Sequence, residues 1–231
     1  MGYSISVTLI LSKTYDIISN LDNISEMSID NAAQDMKYLL DRNYPKSTAL
    51  NLVVNHYKLN KEQRNFLVRY VFSDDEIRDH KSKLISIKKI SGKEVVIDTY
   101  NTLITVEAIL TGKETVKGMD GFLRDTSAIF SKYRFDKNSK EAVKKILEVL
   151  FKYKPKSILF ILDSQISKSG ELASFIRNEL KKFSLGGNAK TSKRADFEII
   201  KLNQITFTSD SAIIERVDKV VDIGMEIISS F

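Results

Sequence analysis

Apolar positions recur at helical spacing through residues 1–90, and the period then changes. Ile29, Ala33, Met36, Leu39 and Leu40 form one stripe, with Asp30 placed to cap it and Asn43-Tyr44-Pro45 to end it. Ser47 is placed to cap a second helix that carries Leu50, Val53, Val54 and Tyr57. Asn60 with Gln63 has the form of a capping box ahead of Phe66, Leu67, Tyr70 and Val71. Ser73 followed by Asp74, Asp75 and Glu76 opens an acidic-first helix, as the helix dipole favours. Two of these helices, joined by Lys58-Leu59-Asn60, have the outline of a helix-turn-helix with Lys61, Arg64, Asn65 and Arg69 outward. The turn lacks the frequent glycine, so a small helical bundle with a solvated polar face is the better expectation.

After the basic segment Lys88 to Lys93, short β-branched runs take over. Glu94 to Asp98, Ser157 to Asp163 and Ile205 to Thr208 read as buried strands. Residues 122–134 and 139–153 read as helices, and Ser169 is placed to cap a helix from Gly170 to Phe183. A helix is expected from Asp210 or Ser211 to about Lys219, and Val220 to Ile223 and Met225 to Ile228 read as short strands. Gly186 to Arg194 reads as a flexible basic loop. Strands alternating with helices predict an α/β domain over residues 91–231, mainly parallel and layered by helices on both faces, after a helical region over 1–90.

Composition narrows the chemistry. The absence of cysteine excludes disulfides, thiol catalysis and thiolate metal sites, and fits a reducing, cytoplasmic setting. With only His56 and His80, a histidine-rich zinc site or a Ser-His-Asp triad is disfavoured, so a metal would need oxygen ligands. Tyr3 to Leu11, the longest apolar stretch near the N-terminus, is too short for a membrane span and lacks the features of a signal peptide, so no membrane association is expected. The net charge of +6 suits an anionic partner such as nucleic acid.

Three expected strands end in aspartate: Asp98, Asp163 and Asp210. Ligands of open parallel sheets bind at the carboxyl ends of strands. If these strands are neighbours, the carboxylates converge, and a hard cation such as Mg²⁺ or Mn²⁺ would relieve their repulsion. Such a site suits phosphodiester cleavage, because a bound cation acidifies water and neutralises developing phosphoryl charge. Each aspartate alone is better explained as a turn or a helix cap, and it is the coincidence of three at strand ends that favours a site. Lys190, Lys193 and Arg194 in the basic loop could track a phosphate backbone, although a solvated loop is the better expectation. Lys144, Lys145, Lys152, Lys154 and Lys156 form a second basic stretch, which a polar helix face explains equally. Tyr100, Phe122, Phe130 and Tyr133 could offer base stacking, but core packing is the commoner role.

Val95-Val96-Ile97-Asp98-Thr99-Tyr100-Asn101 resembles the opening motif of NYN-type, PIN-like nucleases, in which a strand ends in Asp-Gly-Tyr-Asn. Thr208-Ser209-Asp210-Ser211 resembles their later Thr-Ser-Asp motif, and Ala195-Asp196-Phe197-Glu198-Ile199 an intervening acidic segment. The whole chain, including Tyr38 to Pro45, resembles an uncharacterised archaeal family in which helices precede a PIN-like part. The nuclease resemblance covers about residues 91–226. It implies a three-layer PIN-like fold and Mg²⁺- or Mn²⁺-dependent hydrolysis, with RNA favoured over DNA as the nucleic-acid partner. It also implies metal-binding roles for Asp98, Asp196 and Asp210, with Asp163 nearby and catalytic duty shared by Asp98, Asp163 and Asp210. Asn101 would orient Asp98 or contact phosphate, and Arg124 with Asp125, on the next expected helix, would pair or join the site. Thr99 departs from the family glycine. The short interval from Asp196 to Asp210 suggests that Asp196 lies on a strand or hairpin.

Two rivals remain. Asp98-Thr99-Tyr100-Asn101-Thr102-Leu103 resembles the haloacid-dehalogenase-like phosphatase motif, but Tyr100 stands where the general acid belongs. The stronger rival is a non-catalytic nucleic-acid-binding or scaffold protein with a degenerate PIN-like part acting in docking or homodimerisation.

Overall fold

The computed structural model describes residues 26–125 and 133–230. Tyr3 to Leu11 and most of the helix expected at 122–134, with Phe130, lie outside the described residues. The chain divides into two compact units, one of residues 1–81 with 116–122, the other of residues 82–115 with 123–231.

The first unit is helical: α1 (Glu26–Leu40), α2 (Lys46–His56), α3 (Lys61–Tyr70) and most of α4 (Asp74–Lys83). α1 begins before Asp30, so that residue is interior to the helix rather than its cap. Pro45, not Ser47, precedes α2, its φ of −54° already suited to a helix start. The capping box at α3 is present, with the Asn60 side chain on the Gln63 N–H and the Gln63 side chain on the Asn60 N–H. Ser73 and Glu76 form the same reciprocal pair at α4. Leu50, Val53, Phe66, Leu67 and Tyr70 are buried, as their stripes require.

The second unit holds a five-stranded parallel sheet. Its strands are β1 (Glu94–Asp98), β4 (Ser157–Asp163), β5 (Gly187–Ser192), β6 (Ile205–Phe207) and β7 (Val220–Val221), in the order β5-β4-β1-β6-β7. Two further strands are short: β2 (Thr115–Lys117), which runs from this unit into the first, and β3 (Leu123–Asp125). The helices are α5 (Thr99–Leu110), α6 (Lys137–Tyr153), α7 (Ser169–Lys182), α8 (Ala195–Leu202), α9 (Ser211–Ile214) and α10 (Ile223–Ile228).

Strand alternation sorts the two faces of the sheet. Val95, Ile97, Ile158, Phe160, Ala189 and Phe207 belong to one core with Leu103 and Val106 of α5, Ile146 and Leu150 of α6, and Leu172 and Ile176 of α7. Val96 and Ile161 face the other way, where α8 packs on β1, β4 and β5 through the buried Ile199. Both faces being covered explains why these strands read as continuous apolar runs.

Several expectations are corrected. Leu123 to Asp125, placed in a helix from the sequence, form β3. Met225 to Ile228 are helical, because Ile223 and Ile227 fall one turn apart and both are buried. The helix after Asp210 ends at Ile214 rather than near Lys219. The basic loop is largely strand β5, paired along its length with β4. Gly187 makes that pairing possible: a Cβ there would lie 2.3 Å from the Ile158 carbonyl oxygen. On this ground Gly187→Ala is expected to destabilise the protein by about 1–3 kcal/mol, read as a lower urea midpoint, since the clash is with backbone.

Candidate functional site

Asp98 is the last residue of β1 and the residue before α5. The chain moves from β1 to β4 and β5 on one side, then returns to place β6 on the other. The order therefore reverses between β1 and β6, the point at which open α/β sheets bind ligands beyond their carboxyl ends. Ile97 is in register with Phe207, so Asp98 and Thr208 stand side by side at that edge. Asp98 is also in register with Ile161, which puts Asp163 two residues farther along the same rim. Asp163 in turn is level with Ser192, just before α8 and Asp196.

Asp98 is only 6% exposed. Its Oδ2 accepts hydrogen bonds from Asn101 Nδ2 and Thr208 Oγ1, both at 2.7 Å. Burial pushes its carboxyl up to about 7, the bonds from Thr208 and Asn101 oppose that rise, and the Asp210 and Asp196 carboxylates reinforce it. Asp196, in the first turn of α8, is likewise raised, by loss of hydration and by the charges of Asp210 and Asp163, while Arg216 opposes. Asp98 and Asp196 thus both feel Asp210 at the carboxyl edge, and Asp163 acts on Asp196. Asp196 lies on a helix, because an eight-residue helix and a three-residue strand do fit before Asp210.

Local bonds engage two members of this group. Asp163 Oδ1 accepts the Gln165 N–H at 2.8 Å in an Asx-turn, and Asp210 Oδ1 accepts the Ala212 N–H at 2.8 Å as the cap of α9. Among the described residues, no three carboxylate or imidazole side chains stand together as a metal cage. The oxygens at the rim are carboxylate, amide and hydroxyl, the types that hard divalent cations prefer.

Asn101 donates from Nδ2 to Asp98, the first of the two roles that the resemblance implied for it. Arg124 lies on β3, is 2% exposed, and donates from Nε to the Ser209 carbonyl at 2.8 Å. It therefore braces the loop carrying Asp210 and is too buried to meet a phosphate backbone. Asp125 is also buried. Lys190 pairs with Glu198 at 2.6 Å, while Lys193 and Arg194 are exposed. Tyr100 and Tyr133 pack edge to face with ring centres 4.9 Å apart, and Tyr100 is buried, so both belong to the core. The Tyr100 hydroxyl has no hydrogen-bond partner among the described residues, and burial together with the Asp163 charge pushes it up to about 12.

Thr208 is the residue that sequence reasoning undervalued. Its hydroxyl donates to Asp98 and accepts the Asp210 N–H at 3.0 Å, linking the two aspartates. The signal was its place two residues after Thr206, on the same sheet face as Asp98.

These features define a parallel α/β domain with an acidic rim at its switch point. The chain belongs to the family described as Domain of unknown function (DUF5616), whose model matches residues 87–226. Residues 28–83 match a second family, Protein of unknown function (DUF434). The chain is also 43% identical over 204 residues to Uncharacterized protein MJ0935 of the archaeon Methanocaldococcus jannaschii, covering 87% of this chain and 97% of that protein. No solved structure matches it. Among the described residues no helix is long and apolar enough to cross a membrane.

A carboxyl that stays protonated in the folded chain, yet ionises near pH 4 when unfolded, makes folding less favourable as pH rises through that interval. Wild-type protein in chelator should therefore lose, between about pH 4 and 7, stability on the order of a few kcal/mol that Asp98→Asn retains. Denaturant titrations of both proteins across that range measure the difference. Thr208→Val removes a bond that favours the carboxylate, so the Asp98 titration, followed by carbon NMR of the carboxyl, should move to higher pH.

Proposed function

We propose that the second unit is a metal-dependent nuclease of PIN/NYN-like type that hydrolyses phosphodiester bonds, with RNA as the favoured substrate. The observation that carries this reading is the placement of Asp98, Asp163, Asp196 and Asp210 at or just beyond strand ends on the carboxyl edge of the sheet, with Asp98 and Asp196 both raised by neighbouring carboxylates. Their local bonds do not require the acids to lie near one another, and like charges brought together cost free energy. A cation bound there would neutralise the rim, acidify a water and stabilise charge on the phosphoryl group.

The chain's own part is to prepare that rim. Burial and the bonds from Asn101 and Thr208 hold the Asp98 carboxyl in one orientation. Arg124, through the Ser209 carbonyl, holds the loop that carries Asp210. Asp163 and Asp210 each use one oxygen locally, so their Oδ2 atoms are the ones available to a cation. The strand order and the three-layer packing support the same reading. The opening, acidic and Thr-Ser-Asp motifs stand in the order of the resemblance, at the end of β1, in the first turn of α8 and after β6.

A non-catalytic nucleic-acid-binding or scaffold role is the second reading, favoured by one observation: no metal cage is formed among the described residues. One assay separates them. Labelled single-stranded RNA and DNA are incubated with the protein, with Mg²⁺ or Mn²⁺ and with chelator. Metal-dependent cutting is expected, RNA faster than DNA, and reduced about a hundredfold or more in Asp98→Asn and Asp210→Asn. Binding without cutting, unchanged in both variants, would establish the second reading instead.

A further inference from the structure

Beside the acidic rim lies a surface that the reaction itself does not use. The outer side of β5 and α8 forms a groove of about 700 Å³ lined by Lys190, Lys193, Arg194, Phe197, Lys201 and Leu202, among others. That volume lies within the range of roughly 300–1,000 Å³ typical of ligand sites. Four cations face one carboxylate there, Glu198, which Lys190 already engages. Lys193 and Arg194 make no salt bridge among the described residues.

The aromatic content is as informative as the charge. Phe197 is 51% exposed and Leu202 40% exposed, a pair that folding leaves in water. The Arg194 guanidinium carbon stands 4.7 Å from the centre of the Phe197 ring, so cation and ring form one platform. Phe197 and Lys201 are one helical turn apart, and Arg194 precedes Phe197 by three residues, so all three share a side of α8. Asp196, at the acidic rim, is the residue next to Phe197. The groove and the rim are thus neighbours along the chain at the start of α8.

We propose that this groove binds single-stranded nucleic acid, with one base stacked on Phe197 and the adjacent phosphates beside Lys193, Arg194 and Lys201, leading the strand to the acidic rim. The inference rests on the nuclease reading only for the last step, since the groove can hold a strand whether or not the rim cuts it. Exposed aromatics interleaved with cations are what unpaired bases require, because stacking needs a free base face and phosphates need positive charge. A duplex hides its base faces and offers Phe197 nothing to stack on. Lys190 contributes less than the others, being held by Glu198.

The test is binding of full-length protein to a labelled single strand of about ten nucleotides, in chelator so that nothing is cut. Phe197→Ala is expected to weaken binding by roughly 5- to 100-fold, with Phe197→Trp restoring it. Lys193→Gln combined with Arg194→Gln should flatten the dependence of log affinity on log salt by about 1.4, two phosphate contacts on a single strand. Phe197, Lys193 and Arg194 are all at the surface, and circular dichroism checks that the variants fold. Asp98→Asn, which would abolish cutting, should leave this binding in place. Equal affinity for wild type and Phe197→Ala, or equal affinity for duplex and single strand, would overturn the groove assignment. Neither result bears on whether wild-type protein cuts RNA with metal and Asp98→Asn does not, so the two readings fail separately.

Discussion

A single buried carboxylate organises the second unit. Asp98 ends the central strand β1 in a place that water hardly reaches, and an acid there is costly unless its oxygens are satisfied. Its two partners come from different elements: Asn101 from the first turn of α5 and Thr208 from the end of β6. The three groups therefore tie the strand, the helix that follows it and the strand that returns beside it. Thr208 extends the tie to Asp210 through the Asp210 N–H, and Arg124 adds a bond to the carbonyl of Ser209 between them. The loop after β6 is held at three consecutive residues.

The rest of the rim follows from the sheet. Parallel strands in register place their ends at one edge, so Asp163 arrives beside Asp98 without any contact of its own to specify it. α8 then serves three purposes within eight residues. Ile199 is buried against the sheet, Asp196 joins the acidic field, and Phe197 faces water with Arg194 over its ring. A helix can do this because successive residues are turned by about 100° around its axis.

The helical unit has its own buried polar pair. His80 Nδ1 and Asp120 Oδ2 are 2.9 Å apart, both residues wholly buried. The ring of Phe72 meets that of His80 edge-on with centres 5.3 Å apart, and that of Phe122 does so at 6.5 Å. The pair fastens residues 116–122 to α4, which explains why a segment so far along the chain belongs with these helices. Interactions of this kind are invisible to any local pattern.

What the amino-acid order determined by itself was local or two-sided. The capping box at Asn60 was legible because its partner lies three residues away, and the start of α4 because acidic residues follow Ser73. β1, β4 and most of β6 were legible because strands buried on both faces need unbroken apolar runs. β5, a Gly-Asn-Ala-Lys-Thr-Ser stretch, gives no such run; it is a strand because β4 offers an edge and Gly187 permits the approach. α5 went unassigned, and β3 was mistaken for helix, because packing outweighs weak propensity in short segments. The aspartates were visible as residues, but their meeting depends on strand order, a property of long-range pairing. So does the role of Thr208, which lies 110 positions from the carboxylate it holds. Only the assembled sheet brings such distant groups within reach of one hydrogen bond.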